Sequence, residues 1–323
     1  MRRLIIGRLL QAVVVTLLVT TLTFVLIHLA PGDPWSREMA SAHITPQARA
    51  VLDSTYGLDR PVAVQYLLYL RNVARGDFGV SFAQGIPVVE LIGGALPRTL
   101  LLMGTALLVG FALGVVVGVV QGRWRGSALD RRLSTLSLLF YSIPDFWLAI
   151  LVLLVFAYWL PLFPAGGDAT PVVHALLPRF GRFLDTLRHL VLPAATLSLL
   201  LAAGVARYQR AAVLGVLDEG FVRTARAKGV SETRLIAHHV LRNALFPVIT
   251  LVGLSFPLLL GGTVFVERVF SWPGMGSLAV NALAGRDYPL VVATAIVGSF
   301  VTVLGGLVAD LLYCAADPRV RLG

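Results

Sequence analysis

The sequence has one cysteine and few charged residues, and these shortages exclude several classes of protein. A single cysteine, Cys314, excludes an intramolecular disulfide framework and a cysteine-based metal cluster. Only 14% of the 323 residues are charged, whereas 57% are hydrophobic and the mean hydropathy is +0.82. A soluble domain cannot hide so much apolar surface in a core, so lipid is the expected solvent for most of the chain.

Sequence signatures of enzymatic chemistry are also missing. No G-x-x-x-x-G-K-[ST] segment is present, so no loop that cradles ATP phosphates is expected. H-E-x-x-H, G-x-S-x-G and zinc-spaced Cys/His sets are absent as well. The net charge of +10 is not gathered on a separable soluble module, which argues against nucleic-acid binding. We therefore expect a non-catalytic chain that binds no metal or cofactor itself.

Six long apolar segments are present, and each is long enough to cross a membrane. A helix needs about 20 mainly apolar residues to span the hydrocarbon core. The charge-free runs are 9–32, 99–122, 189–206, 243–266 and 288–309, and the region 133–160 carries one acid. The first run lacks an A-x-A cleavage site, so we interpret it as a retained anchor. The sequence predicts an all-α, polytopic membrane protein with six transmembrane helices and a single domain, 1–323.

The distribution of Lys and Arg between the loops predicts the orientation of the chain. The N-terminal segment, loops 121–133 and 207–242 and the C-terminal tail hold sixteen basic residues, whereas two short loops on the opposite side hold five. Cytoplasmic loops carry such an excess. Both termini are therefore expected in the cytoplasm. The 31–98 segment is expected to be extracytoplasmic and to form a small helical cap that includes a helix at Val62 to Val73.

Loop 207–242 is far longer than a connection between two spans requires, so we expect it to be folded. The segment DEGFVRTARAKG is typical of a short helix that begins at Asp218 and ends at Gly229 as its C-cap. A second helix follows, with Ser231 as candidate N-cap, and runs into the fifth span. A basic hairpin of this kind can bind anionic lipid headgroups or dock in a groove of a partner, and both interpretations stay open at this point.

The segment R-T-A-R-A-K-G at 223–229, followed by His239, resembles the EAA loop of ABC importer permeases. The variant is similar to that of the dipeptide/oligopeptide/nickel permease family. Similarity runs along the whole chain, through H-L-A-P-G-D-P at 28–34, G-D-F-G at 76–79, S-I-P at 142–144, E-R-V-F-S-W-P-G-M-G at 267–276, R-D-Y-P at 286–289 and D-P-R at 317–319. The order and spacing of these motifs together make the resemblance specific.

This resemblance implies the type I ABC importer permease fold in a bacterial or archaeal inner membrane. It implies a second homologous permease subunit, two cytoplasmic ATPase subunits that bind ATP and Mg, and an extracytoplasmic substrate-binding protein, with membrane lipid around the bundle. By resemblance, the ATPase-coupling residues are Arg223, Thr224, Ala225, Arg226, Ala227, Lys228, Gly229, Val230 and Ser231. The chain has Arg-Thr-Ala where the general motif has Glu-Ala-Ala, which leaves the individual contacts unassigned.

The family resemblance points to import of dipeptides or oligopeptides, with nickel complexes or another small solute as alternatives in the same family. An ion-coupled secondary transporter is the rival from another class. Such transporters usually show paired broken helices and several intramembrane ionisable groups, whereas only Asp145 lies well within a predicted span here. A membrane enzyme would need a catalytic constellation, which the sequence lacks.

Asp145 is a candidate residue of the substrate path. A carboxylate within a span is costly, so it marks a functional position by default, where it would meet the amino group of a peptide. In the alternative interpretation, Asp145 lies near the cytoplasmic interface or pairs with a neighbouring helix.

The segment at the end of the fifth span is a candidate external gate. Its residues are Glu267, Phe270, Trp272, Pro273 and Gly274, and Trp272 is expected to face the docked binding protein. Turn-rich segments at membrane edges are also commonly structural, so the alternative is a re-entrant loop that Glu267 caps.

Overall fold

The computed structural model describes residues 2–29 and 59–316, and these residues are mainly helical. The first half of the chain comprises α1 (Arg2–Leu29), α2 (Val62–Val73), α3 (Val88–Arg123), α4 (Ala128–Ser142), α5 (Asp145–Leu153) with a π-helical end at Leu154–Trp159, and the short α6 (Val173–Leu176). The second half comprises α7 (Arg179–Leu217), α8 (Gly220–Ala227), α9 (Glu232–Arg234) with a π-helical continuation at Leu235–Val240, α10 (Leu241–Ala244), α11 (Phe246–Val269), α12 (Met275–Gly285) and α13 (Tyr288–Ala316). One isolated bridge joins Val80 to Pro87, and no strand occurs in the described ranges, which confirms the all-α prediction.

All six predicted spans correspond to helical regions, but two of the helices extend well past the predicted ends. Helix α3 begins at Val88 rather than at 99, and α7 covers Arg179–Leu217 rather than 189–206. At 1.5 Å per residue, the 39 residues of α7 reach about 58 Å, against about 30 Å for the hydrocarbon core. Charged residues bound the apolar run but do not end a helix, so the helix continues into the aqueous phase on both sides.

Four crossings use one long apolar helix each: α1, α3, α7 and α13. The predicted third span is instead broken, because α4 and α5 meet at an angle of 105°. Ile143 there has an extended backbone, with ψ of 131°, as expected for a residue before a proline. The fifth crossing bends by 49° at Leu245. Counting each bent pair as one crossing gives the six that were predicted.

A ladder of four glycines on α3 forms the central seam of the bundle. Gly110, Gly114, Gly118 and Gly122 all face α7. A Cβ atom at Gly118 would lie 2.6 Å from the carbonyl oxygen of Ala206, and one at Gly114 would lie 2.5 Å from Cβ of Val205. The small residues therefore let the two backbones approach closely, so the ladder serves the packing of α3 against α7.

The N-terminal helix packs against the last one, and helix α2 packs against both. Arg8 on α1 forms an ion pair of 2.6 Å with Asp310 on α13. Helix α2 matches the predicted 62–73 segment and meets α1 through a hydrogen bond of 2.6 Å between Tyr66 and Thr21. The earlier part of the predicted cap, 31–58, and the motif at 317–319 lie outside the described residues.

Candidate functional site

The segment 220–244, named here the basic hairpin, consists of α8, a glycine turn and the helices that lead into α11. The predicted first helix is shorter than expected, because Asp218 ends α7 and Glu219 occupies the N-cap position of α8. A start at Asp218 was therefore wrong by two residues, since α7 continues through the region predicted to be loop. Ser231 does occupy the N-cap position of α9, but its side chain makes no capping hydrogen bond.

Gly229 makes the turn of the basic hairpin. Its φ of +77° lies in the left-handed region, where a glycine has no Cβ penalty. The turn is closed by hydrogen bonds from Gly229 N to the Arg226 carbonyl (3.0 Å) and from Val230 N to the Ala225 carbonyl (3.2 Å). A Cβ atom at Gly229 would meet nothing within 4 Å. The constraint on this position is therefore the backbone conformation alone. Lys228 occupies the C-cap, one position before the predicted one, and Gly229 is the left-handed residue that follows it.

The predicted coupling residues divide into an exposed set and an anchoring set. Ala225 and Val230 are half-buried and pack against a core cluster below the hairpin. The exposed set consists of Arg223, Thr224, Arg226, Ala227, Lys228, Gly229 and Ser231. Phe221 is 44% exposed at the start of α8, on the same short helix. Sequence reasoning missed this aromatic residue, although an aromatic beside basic residues is a common feature of protein contact surfaces.

An apolar cluster anchors the basic hairpin to the transmembrane helices. Its fully buried members are Val213, Val222, Leu235, Val240 and Ala244. They come from α7, from α8 and from the segment that continues into α11, so both arms of the hairpin are fixed. Movement of α8 must therefore displace the end of α7 as well.

An ion pair closes the basic hairpin across its turn. Arg226 Nε donates to Glu232 Oε1 at 2.7 Å, and Nη2 donates to Oε2 at 3.4 Å. The hydrogen bond to Glu232 raises the pKa of the Arg226 guanidinium, so this group stays charged throughout the physiological range. Of the predicted contact residues, Arg226 thus already has an internal partner, whereas no side-chain partner of Lys228 occurs among the described contacts.

Asp145 lies at the break between α4 and α5, on the edge of a cleft of about 400 Å³. Its Oδ1 accepts a hydrogen bond from Phe146 N at 2.8 Å, and no ion pair of Asp145 occurs within the described part of the chain. The cleft is mostly apolar, with two tyrosines and a serine. Its lining residues are Tyr141, Asp145, Leu197, Leu200, Leu201, Gly204, Val205, Tyr208, Leu251, Leu254 and Ser255.

The candidate gate folds as an internally bonded turn between α11 and α12. The Glu267 carboxylate is fully buried and accepts hydrogen bonds from Thr99 Oγ1 (2.7 Å) and Ser277 N (2.8 Å). Trp272 is only 1% exposed, and its Nε1 donates to the Arg98 carbonyl at 3.1 Å. The expectation that Trp272 faces outward was wrong, because its ring packs in the core cluster with Phe270. Gly274 is buried as well, and of the five predicted residues only Pro273 is exposed.

Two family descriptions together match nearly the whole chain. Residues 110–322 match the family "Binding-protein-dependent transport system inner membrane component", and residues 1–103 match its N-terminal companion, described as "Binding-prot-dependent transport system membrane comp, N-term". The chain belongs to this family. It is therefore a multi-pass membrane permease of the ABC importer class, which works with ATPase subunits.

Curated relatives match this permease along nearly their full length. It is 40% identical over 318 residues to "Oligopeptide transport system permease protein AppB" of Bacillus subtilis, with 98% of each chain covered. It is 40% identical to "Di/tripeptide transport system permease protein DppB" of Pseudomonas aeruginosa, with 94% of each chain covered. It is 38% identical to "Glutathione transport system permease protein GsiC" of Salmonella typhimurium, with 98% of each covered.

A solved structure supports the fold of the permease independently. It is described as "Inward facing conformations of the MetNI methionine ABC transporter: CY5 native crystal form". The TM-score is 0.55 at 18% identity, and the alignment covers 71% of this chain and 97% of the other. At this identity the likeness concerns the fold, which is that of a type I importer permease.

Proposed function

We propose that this permease and a second homologous permease subunit form the path by which an ABC importer brings dipeptides or oligopeptides into the cell. Two cytoplasmic ATPase subunits bind ATP and Mg, and an extracytoplasmic binding protein delivers the peptide. The printed names of the full-length relatives support the peptide substrate, because oligopeptides, di- and tripeptides and the peptide glutathione all occur among them.

The observation that carries the coupling role is the anchored basic hairpin. It presents seven exposed positions of the predicted set, three of them cationic, on a hairpin whose two arms are both fixed by the apolar cluster around Val222. A loose loop would transmit no force, whereas a rigid element fixed to two transmembrane helices can pass a movement of the ATPase subunits to the bundle. This rigidity favours docking to a protein over simple contact with lipid headgroups.

The cleft supports a path for peptides. Asp145 supplies one carboxylate for an α-amino group, and hydrogen bonds to charged groups contribute about 1.5–3 kcal/mol. The leucines of the lining accommodate apolar side chains of varied size, which suits a transporter of mixed peptides. The tyrosine hydroxyls and Ser255 offer partners for peptide amides.

The loop charges support a topology with the basic hairpin and both termini in the cytoplasm and the 31–98 segment outside. Single cysteines at Gln84 and Ser231, in a chain with Cys314 replaced, test this orientation because both native side chains are exposed. An impermeant thiol reagent applied to intact spheroplasts should label the first cysteine only. Labelling of both positions would overturn the topology.

Transport by the reconstituted complex tests the function. Proteoliposomes that contain both permeases and the ATPase subunits are loaded with ATP, and uptake of labelled dipeptides, pentapeptides and a nickel chelate is measured with the binding protein present. We expect ATP-dependent uptake of the peptides and no uptake of the nickel chelate. Uptake of the nickel chelate without uptake of peptides would show that nickel complexes, and not peptides, are the substrate. Peptide uptake that is driven by a proton or sodium gradient without ATP would favour a secondary transporter.

A further inference from the structure

An ion pair between a buried carboxylate and a partly exposed guanidinium joins two helices of the bundle near the basic hairpin. Asp130, whose side chain is 5% exposed, receives two hydrogen bonds from Arg210, through Nε at 2.9 Å and Nη2 at 3.0 Å. The same carboxylate accepts from Gly126 N at 2.9 Å and from Ser134 Oγ at 3.2 Å. Four donors thus hold one carboxylate, and the two-point contact of Arg210 fixes the angle as well as the distance between the helices.

The position of Arg210 connects this pair to the basic hairpin. Arg210 lies on the extension of α7 beyond the apolar run, one turn before Val213. Val213 is fully buried in the cluster that anchors α8. The guanidinium and the anchor of the hairpin therefore belong to the same rigid end of one helix.

The position of Asp130 connects the pair to the cleft. Asp130 is in the first turn of α4, where Ser127 Oγ caps the helix by accepting from Asp130 N at 3.1 Å. At its other end, α4 carries Tyr141, which lines the cleft, and it stops at the break before Asp145. A displacement of the start of α4 thus moves the cleft wall, because the helix between them is continuous.

We propose that Asp130 and Arg210 form the joint that passes the movement of the ATPase-bound hairpin to the wall of the substrate cleft. The inference rests on the proposed coupling role of the basic hairpin. Both residues act as positioning residues: they fix α4 to the end of α7, so that α4 follows when α7 moves. Separation of the pair would leave the buried Asp130 carboxylate without its cation, which makes the two-point contact suited to carry force.

The test compares variants of the assembled transporter by the number of peptides imported per ATP hydrolysed. A merely structural residue would lower the amount of complex, but it would leave this ratio in the surviving complexes unchanged. We expect Asp130→Asn to lower the ratio about tenfold, in the range of a typical coupling between sites, while ATP hydrolysis continues. Arg210→Lys keeps the charge but loses the two-point contact, and an intermediate ratio is expected.

The matched control is Arg8→Gln, which breaks the ion pair of 2.6 Å with Asp310 between α1 and α13, away from the basic hairpin. Its ratio should equal that of the wild type. If Asp130→Asn imports as many peptides per ATP as the wild type, the proposed joint is contradicted. If Asp130→Asn does not assemble, a wild-type ratio for Arg210→Lys contradicts the joint instead. Failure of the wild-type complex to import peptide would instead contradict the proposed function, so the two failures are distinguishable.

Discussion

The basic hairpin and the turn at 267–277 are both turn-rich motifs at helix ends, yet they use their polar residues in opposite ways. The hairpin buries only apolar side chains and leaves its cations at the surface. The turn buries a glutamate and a tryptophan, and both side chains bond to α3: Glu267 accepts from Thr99 Oγ1 as well as from Ser277 N within the turn, and Trp272 Nε1 donates to the Arg98 carbonyl. A motif with many turn residues therefore indicates an unusual backbone conformation. Only the burial of its side chains shows whether they contact a partner or stabilise the fold.

The difference has a physical consequence for substitutions. The buried polar groups of the turn and of the neighbouring α3 satisfy one another, so the loss of one leaves another polar group unpaired in an apolar core. Residues of the hairpin surface face outward, so their loss should leave the fold intact and affect only what the hairpin contacts. The following experiments are ordered from the largest expected effect to the smallest.

Glu267→Leu should have the largest effect, because it leaves Thr99 Oγ1 and Ser277 N without their buried acceptor. Each unpaired group costs about 1–3 kcal/mol, which is a large part of the stability of a domain. We expect a strong loss of folded protein, measured by the melting temperature of the detergent-purified permease. Glu267→Gln keeps an acceptor oxygen and should melt closer to the wild type. An unchanged melting temperature for Glu267→Leu would show that the buried polar residues of the turn do not stabilise the fold, and it would contradict the contrast drawn with the basic hairpin.

Gly229→Val should instead damage coupling without damaging the fold. A β-branched residue in the left-handed region is strained by about 1–2 kcal/mol, and at Gly229 no neighbouring atom adds a clash. The variant is expected to insert and to pair with the sister permease, but to lose ATPase association or substrate-stimulated turnover. Copurification and ATPase assays of the complex measure both properties.

Gly229→Asn is the matched control, because asparagine adopts the left-handed conformation more readily than other residues. It should retain most of the association that the valine variant loses. Wild-type assembly together with wild-type stimulated transport in Gly229→Val would refute the coupling assignment.

Asp145→Asn should have a smaller and more selective effect, because it removes one charge from an otherwise intact cleft. Loss of a charged contact of about 1.5 kcal/mol predicts roughly tenfold weaker transport of peptides with a free amino group. Transport of an N-acetylated peptide, which carries no such group, is the internal control and should not change. If the variant transports the peptide with a free amino group as fast as the wild type does, Asp145 is excluded from the path.

Local patterns in the sequence predicted those features of the structure whose causes are local. The turn at Gly229 and the helix at 62–73 each follow from residue type and spacing, and the structure confirms both. The break at Pro144 also had a local signal, since a residue before proline avoids the helical conformation, but the length of the apolar run concealed it.

Contacts between distant parts of the sequence could not be predicted in this way. Asp130 and Arg210 are separated by 80 positions, and Thr99 and Glu267 by 168. Nothing in a single sequence tells which acid meets which donor across such distances. The outward orientation expected for Trp272 failed for the same reason, because its partner, the Arg98 carbonyl, belongs to α3.

Amide hydrogen exchange in the assembled transporter tests most directly the claim that the basic hairpin, and not the turn at 267–277, meets the ATPase. Exchange is compared between the paired permeases alone and the same pair with ATPase subunits bound. We predict strong new protection of residues 220–231, because docking covers exposed amides there, and no change at 267–277, where the amides are already bonded internally. Unchanged exchange across 220–231 in a complex that retains its ATPase subunits would contradict the account.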